Sequence, residues 1–109
     1  MVDRPNKIKN KNYFILTSSY KFETRENLDI AVYLWIDNET SAAKTYGDIN
    51  SWDVRAITDF SYMFEDADAF NQDIGDWDVS NGTDFSYMFE GADAFNQDIG
   101  DWDVSNGTD

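Results

Sequence analysis

The chain has 109 residues, about the size of one domain, and its 41% hydrophobic and 17% aromatic content suits a packed core rather than an acidic disordered segment. Its 8 basic and 22 acidic side chains give a net charge of −14, which argues against nucleic acid and anionic membranes and leaves cations, basic peptides, neutral glycans and other proteins as partners. It has no histidine and no cysteine, so Ser-His-Asp and Cys-His catalysis, thiolate metal sites and disulfides are excluded.

Residues 1–21 read as an N-terminal extension. Its apolar run, Tyr13 to Leu16, is too short for a signal peptide or a membrane span, so no membrane insertion is expected. The stretch from Asn12 to Phe22 is a candidate cap strand.

Residues 22–47 read as a helical cap. Thr24 can cap a helix whose apolar face holds Leu28, Ala31, Val32 and Trp35. Asn38 or Thr40 can start a second helix that Gly47 ends.

Residues 48–109 carry a repeat, with a partial unit at 48–59 and full units at 60–84 and 85–109 that differ only at Asp66 and Gly91. Trp52, Trp77 and Trp102 recur at intervals of 25, as do Ile49, Ile74 and Ile99, and Val54, Val79 and Val104. So short a unit cannot enclose a core and must stack on its neighbour. In each unit the stretch from Asp73 to Val79 predicts a strand with Trp77 and Val79 inward, and Asn81 to Asp84 predicts a turn. A short helical turn follows, with Phe85, Met88 and Phe89 on one face and Thr83 or Asp84 as its cap. The expected fold is α/β: a leucine-rich-repeat-like solenoid of strand, turn and short helix per unit, behind a helical N-terminal cap.

The pattern Phe-Asn-x-Asp-Ile-x-x-Trp-Asp-Val-Ser-Asn, at 70–81 and 95–106, resembles the 25- to 26-residue repeat of bacterial surface lipoproteins, formerly a domain of unknown function and related to leucine-rich repeats of surface antigens. The resemblance covers roughly residues 22–109. It implies a surface or secreted protein acting in adhesion or protein binding, and it brings no enzymatic activity. The sequence departs from the pattern at Gly82 and Gly107, where an apolar residue is usual and Ile57 still stands; weaker packing and a looser turn are expected there.

Stacking would align Asp53, Asp78 and Asp103 in a column, with Asp76 and Asp101 beside it. Like charges in such a row repel, so something should offset them. These five aspartates are the candidate partner-binding residues, and Asp53, Asp78 and Asp103 are weak candidates for calcium. The structural alternative is a solvated row that protects sheet edges. No resident cofactor is expected, because the aspartate spacing does not complete a calcium loop.

Asn71 and Asn96 are expected to bond turn backbone, Met63 and Met88 to fill the core, and Asp59, Asp84 and Asp109 to cap helices or stand in their first turn. The expected function is a non-catalytic surface interaction module with a protein or glycan ligand, the alternatives being a spacer or a calcium-binding array. No polar cap follows Asp109, so the array is expected to be truncated and its last unit to pair with another copy.

Overall fold

A computed structural model describes residues 19–109. Helix α1 spans Arg25–Asp37 and begins where Thr24, in extended backbone, accepts a hydrogen bond from the Asn27 amide at 3.1 Å. Its apolar stripe, Leu28, Ala31, Val32 and Trp35, is buried as expected. Helix α2 spans Glu39–Tyr46; the Asn38 side chain accepts from the Ser41 amide, and Gly47, at φ +78°, ends it. That left-handed conformation costs glycine nothing, and the Gly47 N–H closes on the Ala43 carbonyl at 2.8 Å.

The expected α/β solenoid is not what the chain forms. Beyond α1, α2 and a single 3-10 turn at Ile49–Ser51, the described residues contain no strand, no sheet and no helix inside the repeated units. Strand-like pairing is confined to two isolated parallel bridges, Lys21 with Asp53 and Asp59 with Asp84. The described residues fill a body of 37 × 29 × 27 Å.

The physical reason lies in where the amides go. In unit 60–84 the N–H groups of Met63, Glu65 and Ala67 close tight turns onto Phe60, Tyr62 and Phe64. The alternate N–H groups, Phe60, Tyr62, Phe64 and Asp66, instead reach the carbonyls of Asp84, at the end of the unit, and of Ser86, Met88 and Glu90 in the next unit. A helix needs every amide to bond within its own segment, so the predicted helical turn cannot form. Left-handed backbone at Tyr62 (φ 61°), Asp66 (φ 59°) and Tyr87 (φ 56°) breaks it further. The predicted strand at 73–79 is likewise replaced, because the Trp77 amide turns back onto the Ile74 carbonyl at 3.1 Å.

The units nonetheless lie on one another in register. Phe60 stacks on Phe85, Phe64 on Phe89 and Phe70 on Phe95, with ring centroids 5.5 to 5.9 Å apart and planes within 6°. The Trp77 indole N–H donates to the Ile49 carbonyl at 2.7 Å, and the Trp102 indole repeats the bond to Ile74 at 3.0 Å. Asn81 and Asn106 reach back to the carbonyls of Arg55 and Ser80, and Thr83 and Thr108 to those of Thr58 and Thr83. Asn71 accepts from the Asn96 amide at 2.8 Å, and Met63 and Met88 are buried, as their sequence roles require.

Gly82 does not loosen its turn. It is buried, and a Cβ built on it would collide with the Phe85 ring and come within 3.0 Å of Phe60. The aromatic stack occupies the space that Ile57 fills in the partial unit, so the expected packing defect is absent there. The one difference between the full units has a similar cause. Position 66 and its counterpart 91 are both left-handed, and the Asp66 carboxylate lies where a Cβ on Gly91 would be.

Residues 1–18, which hold most of the expected cap strand, lie outside the described residues. Just after them, the Phe22 amide donates to the Asp53 carbonyl at 3.0 Å and the Asp53 amide to the Tyr20 carbonyl at 2.8 Å. No described helix is long and apolar enough to cross a membrane.

Candidate functional site

The aspartates of the repeat serve their own turns. Asp48, Asp53, Asp59, Asp73, Asp78, Asp84, Asp98 and Asp103 each accept from the amide two residues on, which fixes the chain as it leaves one segment for the next. Where that residue is Ser61, Ser80 or Ser86, its hydroxyl donates to the same carboxylate at 2.6 Å. Asp59 and Asp84 therefore build turns and do not cap helices.

Asp53, Asp76 and Asp78 line one open groove of about 310 Å³, together with Asn50 and Arg55. Asp101 and Asp103 lie one unit further along and do not line it. Arg55 grips Asp53 through its Nε and Nη2, at 3.0 and 2.9 Å, leaving that carboxylate side chain 15% exposed. The Arg55 hydrogen bond holds the Asp53 carboxyl below its ordinary range. Hydrogen bonds from Ser80 and Ser105 lower Asp78 and Asp103, and Asp78 is helped by the positive charge of Arg55. This is the offset that the acidic row requires: one cation at its first step and turn donors at the others.

Asp76 and Asn50 bond reciprocally. Asn50 Nδ2 donates to the Asp76 carboxylate at 3.1 Å, and the Asp76 amide donates to Asn50 Oδ1 at 3.0 Å. The bridge satisfies Asn50, a buried polar residue. Gly75 stands in the place of Asn50 one unit later, so Asp101 lacks that counterpart and is exposed. Among the described residues, no three acidic side chains come together in a group that could hold a metal ion.

A second surface was missed in the sequence. The rings of Tyr62 and Tyr87 stack outside the core, centroids 5.1 Å apart and planes 18° apart, and are 49% and 56% exposed. Desolvation first, then Tyr87 and the carboxylates of Glu65, Glu90 and Asp84, raise the Tyr62 phenol above its ordinary range. Desolvation, with Asp66 and Glu90 close by, raises the Glu65 carboxyl. The signal was present in the Phe-Ser-Tyr-Met-Phe run, where a tyrosine recurs between core positions. Its outward direction depends on a left-handed residue that no sequence pattern marked.

Residues 36–109 match the family described as Mycoplasma protein of unknown function, DUF285. The chain belongs to the DUF285 family. The match takes in both full units and α2, while Arg25 and most of α1 precede it. Neither a search of curated proteins nor a search of solved structures found a match.

Proposed function

We propose that the chain is a non-catalytic interaction module of a surface or secreted protein, meeting a protein or glycan through the face that carries Tyr62 and Tyr87. The observation that supports this reading is the stacked, half-exposed tyrosine pair, one ring per unit, held outward by left-handed backbone and flanked by Glu65 and Glu90. Backbone of this kind costs about 1–3 kcal/mol per residue. Tyrosine offers a large rigid contact with a polar end, which suits recognition. Surface location rests on the likeness to surface lipoprotein repeats.

The carboxylates favour binding over catalysis. Acid and base roles need two groups in unlike environments, whereas Asp78 and Asp103 sit in equivalent turns that lower both.

The test is binding of the chain and of a Tyr62→Ala, Tyr87→Ala double variant to panels of glycans and surface proteins. A ligand of the parent chain should lose at least about tenfold in affinity, the size of one hot-spot contact. Equal binding by the two proteins contradicts the reading. The spacer alternative draws on the same turns, because Asp73, Asp78, Asp84, Asp98 and Asp103 hydrogen-bond within their own turns; it predicts that no panel member binds.

A further inference from the structure

Tyr62 and Tyr87 hold the same place in successive units, and the backbone fixes both. Each is left-handed, at φ 61° and 56°, and the Tyr62 amide donates to the Ser86 carbonyl, next to Tyr87, at 3.0 Å. The rings lie one on the other, centroids 5.1 Å apart and planes 18° apart. Equal places and near-parallel planes set the carbons ortho to one hydroxyl beside those of the other. Met63 and Phe64 next to Tyr62 are buried, yet Tyr62 stays 49% exposed even with Tyr87 stacked on it, so the pair stands in solvent.

Tyr20 and Tyr46 also approach each other, with centroids 4.8 Å apart, but at 87°. That arrangement presents the edge of one ring to the face of the other. Both rings are packed against Phe22, and Tyr46 also against Trp52, so they are not free to turn. The chain has no cysteine, so a covalent tie between its units cannot be a disulfide.

The geometry points to Tyr62 and Tyr87 as an oxidative cross-linking site, at which hydrogen peroxide, acting through a one-electron oxidant of the haem peroxidase class, joins the two full units by a dityrosine bond. Each phenol gives up one electron and one proton. The two phenoxyl radicals then pair, forming a carbon–carbon bond between ring positions ortho to the hydroxyls. The hydrogen on each of those carbons moves to the oxygen of its own ring, which restores both phenols. The chain loses two hydrogen atoms in all, and one peroxide is reduced to two waters. The carboxylates of Glu65, Glu90 and Asp84 act on the Tyr62 phenol, so acceptors for its proton stand close by. Half-exposed rings have room to turn about the new bond. The bond closes a loop across 25 residues of chain, and it restricts the unfolded state as a disulfide does. The cross-link does not depend on the binding role of this face.

The test is treatment of the full chain, at high dilution, with a haem peroxidase and equimolar hydrogen peroxide, read by dityrosine fluorescence and by peptide mapping in a mass spectrometer. The expected product is a monomer lighter by two hydrogen atoms, with Tyr62 linked to Tyr87. Tyr62→Phe and Tyr87→Phe should each lower its yield by about tenfold or more, as should unfolding in urea, because the stack supplies the proximity; Tyr20→Phe should leave it unchanged. The cross-linked chain should melt several degrees above the parent. Failure to cross-link, a link mapped to any other pair or only between chains, or an equal yield in urea each overturns the proposal. A cross-linked chain that melts no higher than the parent overturns the bracing of the two units.

Discussion

Arg25 Nη2 lies 2.7 Å from the carbonyl oxygen of Ser61, and Nη1 donates to Asp59 at 3.1 Å. The guanidinium also meets the carboxylates of Asp29 at 2.7 Å and Asp59 at 3.2 Å, and its side chain is only 24% exposed. One residue therefore ties α1 to the first turn of the repeats. Hydrogen bonds to charged groups contribute about 1.5–3 kcal/mol each, discounted here for partial exposure. Arg25→Ala is expected to destabilise the fold by about 2–3 kcal/mol in urea denaturation. Arg25→Lys should recover less than half of that, since an ammonium lacks the fork that reaches both carbonyls. A loss under about 0.5 kcal/mol, the size of an ordinary surface change, would mean that Arg25 does not hold α1 to the repeats.

The indole bonds differ along the stack in a way that a pair of variants can read. Trp77 Nε1 donates to Ile49 in a buried setting, whereas the equivalent bond of Trp102 is partly exposed. Trp77→Phe strands a buried carbonyl, at about 1–3 kcal/mol, and adds the loss of packed volume. Trp102→Phe leaves its carbonyl access to water and should cost less than half as much. Equal costs by thermal or chemical denaturation would mean that the units are equally covered.

Glycine at 82 is a packing requirement. Gly82→Ala would drive a methyl group into the Phe85 ring, while at Gly107 the nearest atom, the Val104 carbonyl oxygen, is 3.1 Å away. Overpacking costs about 1–3 kcal/mol, so Gly82→Ala should lower Tm clearly and Gly107→Ala much less. A neutral or stabilising Gly82→Ala would show that the Phe60 and Phe85 rings can separate.

Much of this chain was legible in advance, and the boundary is physical. Helices α1 and α2 announce themselves by Thr24, Asn38 and Gly47 and by the stripe from Leu28 to Trp35, all of them signals within a few residues. The inward positions Trp52, Trp77, Phe60 and Phe64 follow from the repeat itself. The form of the unit does not. Whether the Tyr62 amide closes a local turn or crosses to Ser86 is decided by a neighbour 24 residues away in the chain. Stacking alone makes the aspartates a solvated or ligand-binding row and leaves open what each carboxylate does locally. Asp-Val-Ser and Asp-Phe-Ser are themselves turn signals, and those turns accept the hydrogen bonds. Arg25 could not be anticipated, since its carbonyl partners lie 34 and 36 residues ahead.

The turns set an acid limit. Asp53, Asp59, Asp78 and Asp103 all have folded pKa values below the ordinary value, through bonds from Arg55, Ser61, Ser80 and Ser105 respectively. A depressed carboxyl stabilises the fold above its unfolded pKa of about 3.9, and that stability is lost as pH falls through the lower folded value. Glu65 is raised, so its protonation favours the folded state and gives an opposite gain just above the unfolded value. Tm should be level or slightly rising as pH drops from about 7 to 5, and should fall below about 4. A Tm that keeps rising below that point would mean that relief of the −14 net charge outweighs the turns.

The most direct measurement is amide hydrogen exchange, residue by residue, on the unmodified chain. Strong protection is expected at Tyr62, Phe64 and Asp66, whose amides cross to the next unit, and fast exchange at Tyr87, Phe89 and Gly91, which have the same places in the following unit and no main-chain acceptor among the described residues. Equal protection in the two sets, or fast exchange in both, would contradict the crossing of the Tyr62, Phe64 and Asp66 amides to the carbonyls of Ser86, Met88 and Glu90.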